Sequence, residues 1–291
     1  MIKIIICTTF REFKGTENDK IQYMFLDNIK KQTYQNFQLV TTTFGEKKVK
    51  DVVDSYFGEK STVFDVQLPK EYRFSLTDVV LNGIKEAEDC PEDSVIIWCT
   101  CDVQFEPDLF EIIAKNYENG ISGIIHPNII YNSVDDLILK KGYYGSLGRG
   151  IDLLFYDSNV LIKAKQDIIN YRFYDWGVFE YFMVALALKY SLKKVNFFCL
   201  SPIHKVENNR KLTEETKNYF SRCLKMNGPI FLNYWNENFS QKKSFGDLYY
   251  YHRQYRMLNP SMKYRLLVAK YYVGQFWPFI KKIIKYIIRR R

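Results

Sequence analysis

The chain has 291 residues, 47% of them hydrophobic and 26% charged, with a formal net charge of +9. That balance supports a buried core and excludes a globally disordered chain, and the length fits one large domain or a domain with an appendage. The charge is unevenly placed: residues 248–291 carry eleven Lys or Arg and no Asp or Glu, more than the whole excess, so a nucleic-acid or membrane partner is a question for the tail alone.

Residues 2–7 read as a buried first strand, followed by a polar loop over 8–18. Apolar residues at 21, 24, 25 and 29 predict a helix over 19–32. Residues 37–43 form a second β-rich run and 63–67 a third, and 75–87 read as a helix with Leu76, Val79, Val80 and Ile84 on one face. The apolar run 95–101 predicts a strand that delivers Asp102 to its carboxyl end, and 109–117 the helix after it. Residues 121–126 continue the alternation, which predicts a mostly parallel sheet with helices on both faces. Residues 131–152, rich in Gly and Tyr with Arg149, break the pattern and read as a mobile loop. An apolar helix over 179–189 and a last strand over 194–200, ending near His204, complete the periodic part.

Six cysteines at scattered positions, without a CxxC pair, predict reduced thiols in a cytosolic setting rather than a zinc site. The N-terminal apolar run is too short for a secretory leader. No stretch reaches the roughly 18–20 apolar residues of a spanning helix, so a soluble or peripheral protein is expected.

Ligands of open α/β sheets lie outside the carboxyl ends of the strands. A carboxylate there, as Asp102, can hold a divalent metal against a diphosphate or simply close the turn before Phe105. Asp175, between Tyr174 and Trp176, is placed either to cap the following helix or to take a proton from a bound hydroxyl. Thr8, Thr9 and Arg11 follow the first strand, and Arg73 precedes the helix at 75. Each arginine is either a phosphate ligand or a solvated surface group. No GxGxxG follows the first strand and no Walker A sequence appears.

Five segments, in order over residues 2–205, resemble a family-2-type glycosyltransferase of the GT-A fold. Residues 4–11, Ile-Ile-Ile-Cys-Thr-Thr-Phe-Arg, are similar to its first strand and loop. Residues 28–40, Asn-Ile-Lys-Lys-Gln-Thr-Tyr-Gln-Asn-Phe-Gln-Leu-Val, are close to its S-x-x-x-Q-T-Y-x-N-F-E-L-I signature. Asn82-Gly83 loosely matches its N-x-G, Thr100-Cys101-Asp102 falls at its DxD motif, and Tyr174-Asp175-Trp176 at its Glu-Asp-Trp. Two positions depart: the acidic pair after the second strand is replaced by Thr41-Thr-Thr-Phe-Gly, and Thr100 stands for the first Asp of DxD. The processive Q-x-x-R-W motif is absent, which points to single additions.

The resemblance implies an α/β GT-A domain over 1–205, its nucleotide-binding part at about 1–105 and its acceptor part at about 106–205, with a helical extension over 206–291. It implies an inverting transfer from a nucleotide-diphosphate sugar to a hydroxyl of a glycan acceptor in bacterial surface-glycan assembly. Asp175 would be the general base, with Glu180 in reserve. Thr8, Thr9, Arg11, Arg73, Thr100 and Asp102 would bind the donor, and Asp102 with His204 would hold Mg²⁺ or Mn²⁺; His204 reads equally as an ordinary loop histidine. Two rivals stay open: a catalytically silent membrane-bound scaffold, favoured by the lost carboxylates, and a sugar nucleotidyltransferase, whose glycine-rich basic loop is poorly matched at residues 8–15.

The tail has its own pattern. Isoleucines at 280, 283, 284, 287 and 288 share one helical face over 276–291, and Lys281, Lys282, Lys285 and Arg289 the other. That predicts a helix lying in an anionic membrane surface, hence a cytoplasmic enzyme at the inner face of the cell membrane with a lipid-linked acceptor. A contact with protein is the alternative, and an isoleucine stripe fits nucleic acid poorly.

Overall fold

The computed structural model describes residues 1–90, 92–125, 129–131, 143–144, 153–175, 177–190, 196–197, 203–206 and 214–239. Most of the glycine-rich segment, Trp176 and the basic tail with its amphipathic stretch lie outside the described residues.

In chain order the elements are β1 (Lys3–Thr8), α1 (Glu17–Lys30), β2 (Phe37–Thr43), α2 (Val49–Phe57), β3 (Ser61–Asp65), α3 (Leu76–Glu88), β4 (Ser94–Cys99), β5 (Val103–Phe105), α4 (Leu109–Lys115), β6 (Ser122–Ile125), β7 (Ile129–Tyr131), β8 (Tyr143–Tyr144), β9 (Leu153–Asp157), α5 (Ser158–Asn170), α6 (Phe179–Tyr190), β10 (Asn196–Phe197), β11 (Ile203–Val206) and α7 (Glu214–Asn238). The main sheet runs β10-β6-β9-β4-β1-β2-β3. Its strands are parallel except β9, which lies antiparallel between β4 and β6. The α/β class and mostly parallel sheet expected from the sequence are therefore what the chain adopts. A second sheet, β5-β11-β7-β8, follows the end of β4.

Alternation along the strands builds two cores. Ile5, Cys7, Ile96, Trp98, Leu154 and Tyr156 face α3, α5, α6 and α7. Ile4, Ile6, Val95, Ile97, Cys99, Leu153 and Phe155 face α1 and α4. Covered on both faces, these strands carry apolar residues at nearly every position, the pattern of buried parallel strands.

Three differences from the sequence reading matter. Helix α2, strand β9 and helix α5 were not expected. Residues 103–105 form strand β5, not only a turn into the next helix. Helix α7 is not separate from the body: its Phe231, Tyr234 and Trp235 are buried in the same core as Phe182 of α6, because its apolar positions complete a face that α6 cannot cover alone. The boundary drawn at residue 205 thus falls ahead of a helix that packs into the domain. Among the described residues no helix is long and apolar enough to cross a membrane.

Candidate active site at the carboxyl edge of the sheet

The chain reverses its direction of sheet growth at β1, with β2 on one side and β4 on the other. Such a switch point leaves a crevice beyond the strand ends. Thr8 closes β1 there; it is buried, and its Oγ1 donates to the Cys99 carbonyl of β4 at 2.9 Å. Thr9 is half-buried just beyond.

The loop after β1 is tied to α1 by two side chains. Gln22 accepts from the Arg11 backbone N–H at 2.7 Å and donates to the Arg11 carbonyl at 3.2 Å, which fixes the backbone of an exposed arginine. Asp19 accepts from the backbone N–H groups of Lys14, Gly15 and Thr16. Burial opposes its charge, but those backbone donors outweigh burial and hold its carboxyl below the ordinary range.

Beyond β4, the Thr100 hydroxyl donates to Asp102 Oδ1, so the residue that departs from the DxD pattern orients the carboxylate that remains. Burial pushes the Cys99 thiol well up, with charges at Cys7, Cys101 and Asp102 adding to it, which makes a thiolate ligand there unfavourable. Cys7, Cys90, Cys99, Cys101 and Cys223 are all free thiols.

The segment after Asp102 is gripped by the signature at the end of α1. Asn28 donates to the Phe105 carbonyl at 2.7 Å and accepts from its N–H at 2.5 Å. Gln32, 2% exposed, donates to the Glu106 carbonyl at 2.9 Å and accepts from the Phe110 N–H at 3.2 Å. The Thr33 N–H donates to the Pro107 carbonyl at 2.7 Å. Tyr34 and Asn36 bond the Ile2 carbonyl at the start of β1. The motif that carried the resemblance therefore acts as a brace, joining β1 and α1 to the strand behind Asp102.

His204 is placed differently from the sequence reading. It lies inside β11, not past a strand, and pairs with Gln104 of β5 in an antiparallel register. That puts its backbone opposite the second residue after Asp102. Among the described residues no group of three or more His, Cys, Asp or Glu is gathered closely enough to hold a metal ion.

Asp175 belongs to a second group. It is 1% exposed, and its φ of 56° places it in the left-handed region, which Asp tolerates better than most residues. Its Oδ1 accepts from the Arg73 N–H at 2.8 Å and the Phe74 N–H at 3.4 Å, while its own N–H donates to the Phe74 carbonyl at 2.9 Å. These bonds serve the residues ahead of α3, not the helix that Asp175 precedes. Because α3 runs back from the end of β3, its N-terminus lies at the same carboxyl edge as Thr8 and Asp102. Glu180 lies in the first turn of α6.

Helix α7 supplies residues that no motif or spacing placed beforehand. Arg222 stands 4.0 Å from Asp175 Oδ2. The Arg73 guanidinium lies 4.4 Å from the centre of the Tyr219 ring, and that of Arg222 5.6 Å from the same centre. Burial, and then the Asp175 charge, push the Tyr219 phenol above its ordinary range. Asn227, fully buried, donates to the Tyr174 carbonyl at 2.8 Å. It lies where a Cβ on Gly177 would come within 2.8 Å of its amide nitrogen, and Gly177 has a φ of +152°. Tyr72 and Tyr174 stack with ring centres 4.1 Å apart.

No protein-family profile matches the chain, and no curated protein matches it. Among solved structures, TarS 1-349 of S. aureus in complex with UDP-GlcNAc is similar at 10% identity and a TM-score of 0.45, over 72% of this chain and 60% of that one. A nucleotide-diphospho-sugar transferase from Desulfovibrio desulfuricans G20 is similar at 11% identity and a TM-score of 0.37, over 80% of this chain and 99% of that one. A 4-diphosphocytidyl-2C-methyl-D-erythritol synthase is similar at 12% identity and a TM-score of 0.41, over 76% and 97%. The chain thus spans about three fifths of the TarS fragment. At these identities and scores the likeness carries nothing about residues or chemistry.

Proposed function

We propose that the chain is a GT-A-type glycosyltransferase, moving a sugar from a nucleotide-diphosphate sugar to an acceptor hydroxyl with inversion. One observation supports this above the others: two carboxylates, Asp102 and Asp175, stand at the same edge of the sheet, at the switch point where a nucleotide would lie. They differ as the two halves of the reaction require.

On the donor side, Thr8, Thr9, Arg11, Thr100 and Asp102 would line the diphosphate; Arg73, which the resemblance also gives to the donor, stands beside Asp175 and Tyr219 and is taken up below. Mg²⁺ or Mn²⁺ would be held by the one oriented carboxylate, Asp102, with His204 as the proposed second donor and phosphate and water oxygens for the rest. When bound, the ion stabilises charge building on the leaving diphosphate as a Lewis acid. On the acceptor side, Asp175 Oδ2 takes the proton as the hydroxyl oxygen attacks the anomeric carbon from the face opposite the leaving group. Oδ1 is committed to backbone donors, so the carboxylate keeps its direction while it works. The acceptor reaches Oδ2 past Arg222.

The first test is a panel of UDP, GDP, CMP and dTDP sugars, each with Mn²⁺ or EDTA, read by thermal shift and by the product released. Release of the free nucleotide, diphosphate for the UDP, GDP and dTDP donors, fits glycosyl transfer. Formation of a nucleoside triphosphate and a sugar 1-phosphate when pyrophosphate is added to the same donors would replace this reading with nucleotidyl transfer, and neither binding nor product would favour the silent scaffold. We also assign residues 276–291 to an anionic inner-membrane surface and the acceptor to a lipid-linked glycan. Flotation with phosphatidylglycerol vesicles, lost on truncation after Trp277, is the expected outcome; unchanged flotation would remove the tail from that role.

A further inference from the structure

We propose that Arg73 and Arg222 form a subsite for a phosphate group carried by the acceptor, beside the hydroxyl that is glycosylated. The inference rests on the reading of Asp175 as the base.

Both guanidinium groups converge on one ring, at 4.4 and 5.6 Å from the centre of Tyr219. Their central carbons are therefore at most about 10 Å apart, the sum of those distances, a span that one bound phosphodiester can bridge with charge-assisted hydrogen bonds. Among the described residues the two cations share a single carboxylate, Asp175. A ring face attracts a guanidinium without consuming its N–H donors. Among the described residues Arg73 has no ion pair, and Arg222 has only Asp175, at 4.0 Å. That carboxylate is buried and already accepts two backbone N–H groups through its other oxygen. The nearby Asp78 is engaged by Arg172. The cluster of Arg73, Arg222 and Asp175 thus holds one positive charge in excess, with Arg73 exposed and the Arg222 side chain 63% exposed.

The position is as informative as the charge. The Arg73 backbone N–H donates to Asp175 Oδ1, so the side chain that carries the cation springs from a backbone tied to the base. Arg222 stands over Oδ2, the oxygen that must be uncovered. A phosphate that draws Arg222 towards Arg73 relieves like-charge repulsion and opens Oδ2 to the neighbouring hydroxyl. An uncharged acceptor does neither.

The probe is bis(glycero)phosphate, a phosphodiester flanked by hydroxyls, titrated calorimetrically into the full chain beside uncharged triglycerol. Binding of the phosphodiester alone is expected, weakened at least tenfold by Arg73→Gln and by Arg222→Gln, with circular dichroism unchanged. It should persist at saturation with whichever nucleoside diphosphate binds. Equal binding of both probes, no binding by the unsubstituted chain, or unaltered binding by the variants would overturn the subsite. Competition by the nucleoside diphosphate would overturn it too, giving the arginines to the donor. None of these readouts requires turnover, so a chain that binds the phosphodiester through both arginines yet transfers no sugar would sink the transferase reading and leave the subsite standing.

Discussion

Asp102 and Asp175 reach the same edge of the sheet by opposite routes. Asp102 is oriented by a neighbour two residues away, the Thr100 hydroxyl, on a turn that β4 delivers directly. Asp175 is fixed by backbone groups 101 and 102 residues earlier in the chain and lies under a side chain from α7. One is partly exposed and the other 1% exposed. In the proposed reading the donor half would thus be a local product of a strand and its turn, open to a ligand in solution. The acceptor half would exist only when three distant segments are packed, with Arg222 4.0 Å from Asp175 Oδ2. A transferase that must not spend its donor on water would gain from that difference, since the proposed base would be withheld until an acceptor arrives.

The largest expected effect separates catalysis from clamping at Asp175. Asp175→Asn keeps an oxygen for the Arg73 and Phe74 N–H groups and a side chain that tolerates positive φ, so thermal unfolding should move little. Transfer should fall by roughly 10²–10⁴-fold, the usual contribution of a general base. Asp175→Ala should lose both rate and stability, because it orphans those N–H groups and puts Ala at φ 56°. If Asn preserves the rate, Asp175 is only a clamp and the contrast between the halves is one of architecture alone.

The two routes also explain what the sequence made legible. Strands β1, β2 and β4 are buried on both faces, so their apolar runs announce them, and Asp102 follows from where β4 ends. The Asn28–Phe37 signature was visible as a motif, but its work was not: Asn28, Gln32, Tyr34 and Asn36 bond backbone groups just ahead of β1 or in residues 105–110, and no periodicity encodes that. Strand β9 was missed because it enters the sheet antiparallel, out of the strand-helix alternation. Tyr219, Arg222 and Asn227 were illegible because their segment reads only as part of a helical extension, with no motif among them. Only its packing on α6 and beside Tyr174, Asp175 and Gly177 turns three of its residues toward Asp175 and its neighbours. One clue was available: a glycine two residues after Asp175, which the structure shows backed directly against Asn227.

The next largest effect should fall on both halves at once. Gly83 lets α3 lie against β1, and a Cβ there would come within 2.0 Å of Cys7 Sγ. Neighbouring Asn82 donates to Thr42 at 2.9 Å. Gly83→Ala should cost about 1–3 kcal/mol, typical of overpacking, in urea unfolding. Cys7→Ala in the same chain should recover part of it as a favourable coupling. Simple additivity would show that α3 is not held by this contact.

The brace offers a sharper division. Gln32→Ala leaves the buried Phe110 N–H without its acceptor and should cost about 1–3 kcal/mol of stability. It should also weaken donor binding while leaving the Arg73 and Arg222 probe unaffected. Thr100→Val removes only the hydroxyl that orients Asp102, so donor affinity should fall about tenfold, the worth of one charge-assisted bond, with stability nearly unchanged. Equal losses of donor and phosphodiester binding in either variant would mean that the halves are one cooperative unit.

The smallest effect concerns the loop after β1 and depends on pH. Asp19 is held below its ordinary carboxyl range in the folded chain, because the N–H groups of Lys14, Gly15 and Thr16 outweigh the cost of burial. A folded-state pKa below the unfolded one means that the folded chain holds fewer protons as the pH falls. The stabilisation is complete above the unfolded value of about 4 and is lost as the pH drops through the lower folded value. Asp19→Asn should therefore unfold more easily than the unsubstituted chain at pH 7, and the gap should close on acidification below about pH 4. A gap that stayed constant with pH would show that the loop is held by shape, not by the carboxylate charge. Donor affinity measured across the same range should then be insensitive to Asp19, and the donor half would owe its readiness to the Gln22 grip on Arg11 alone.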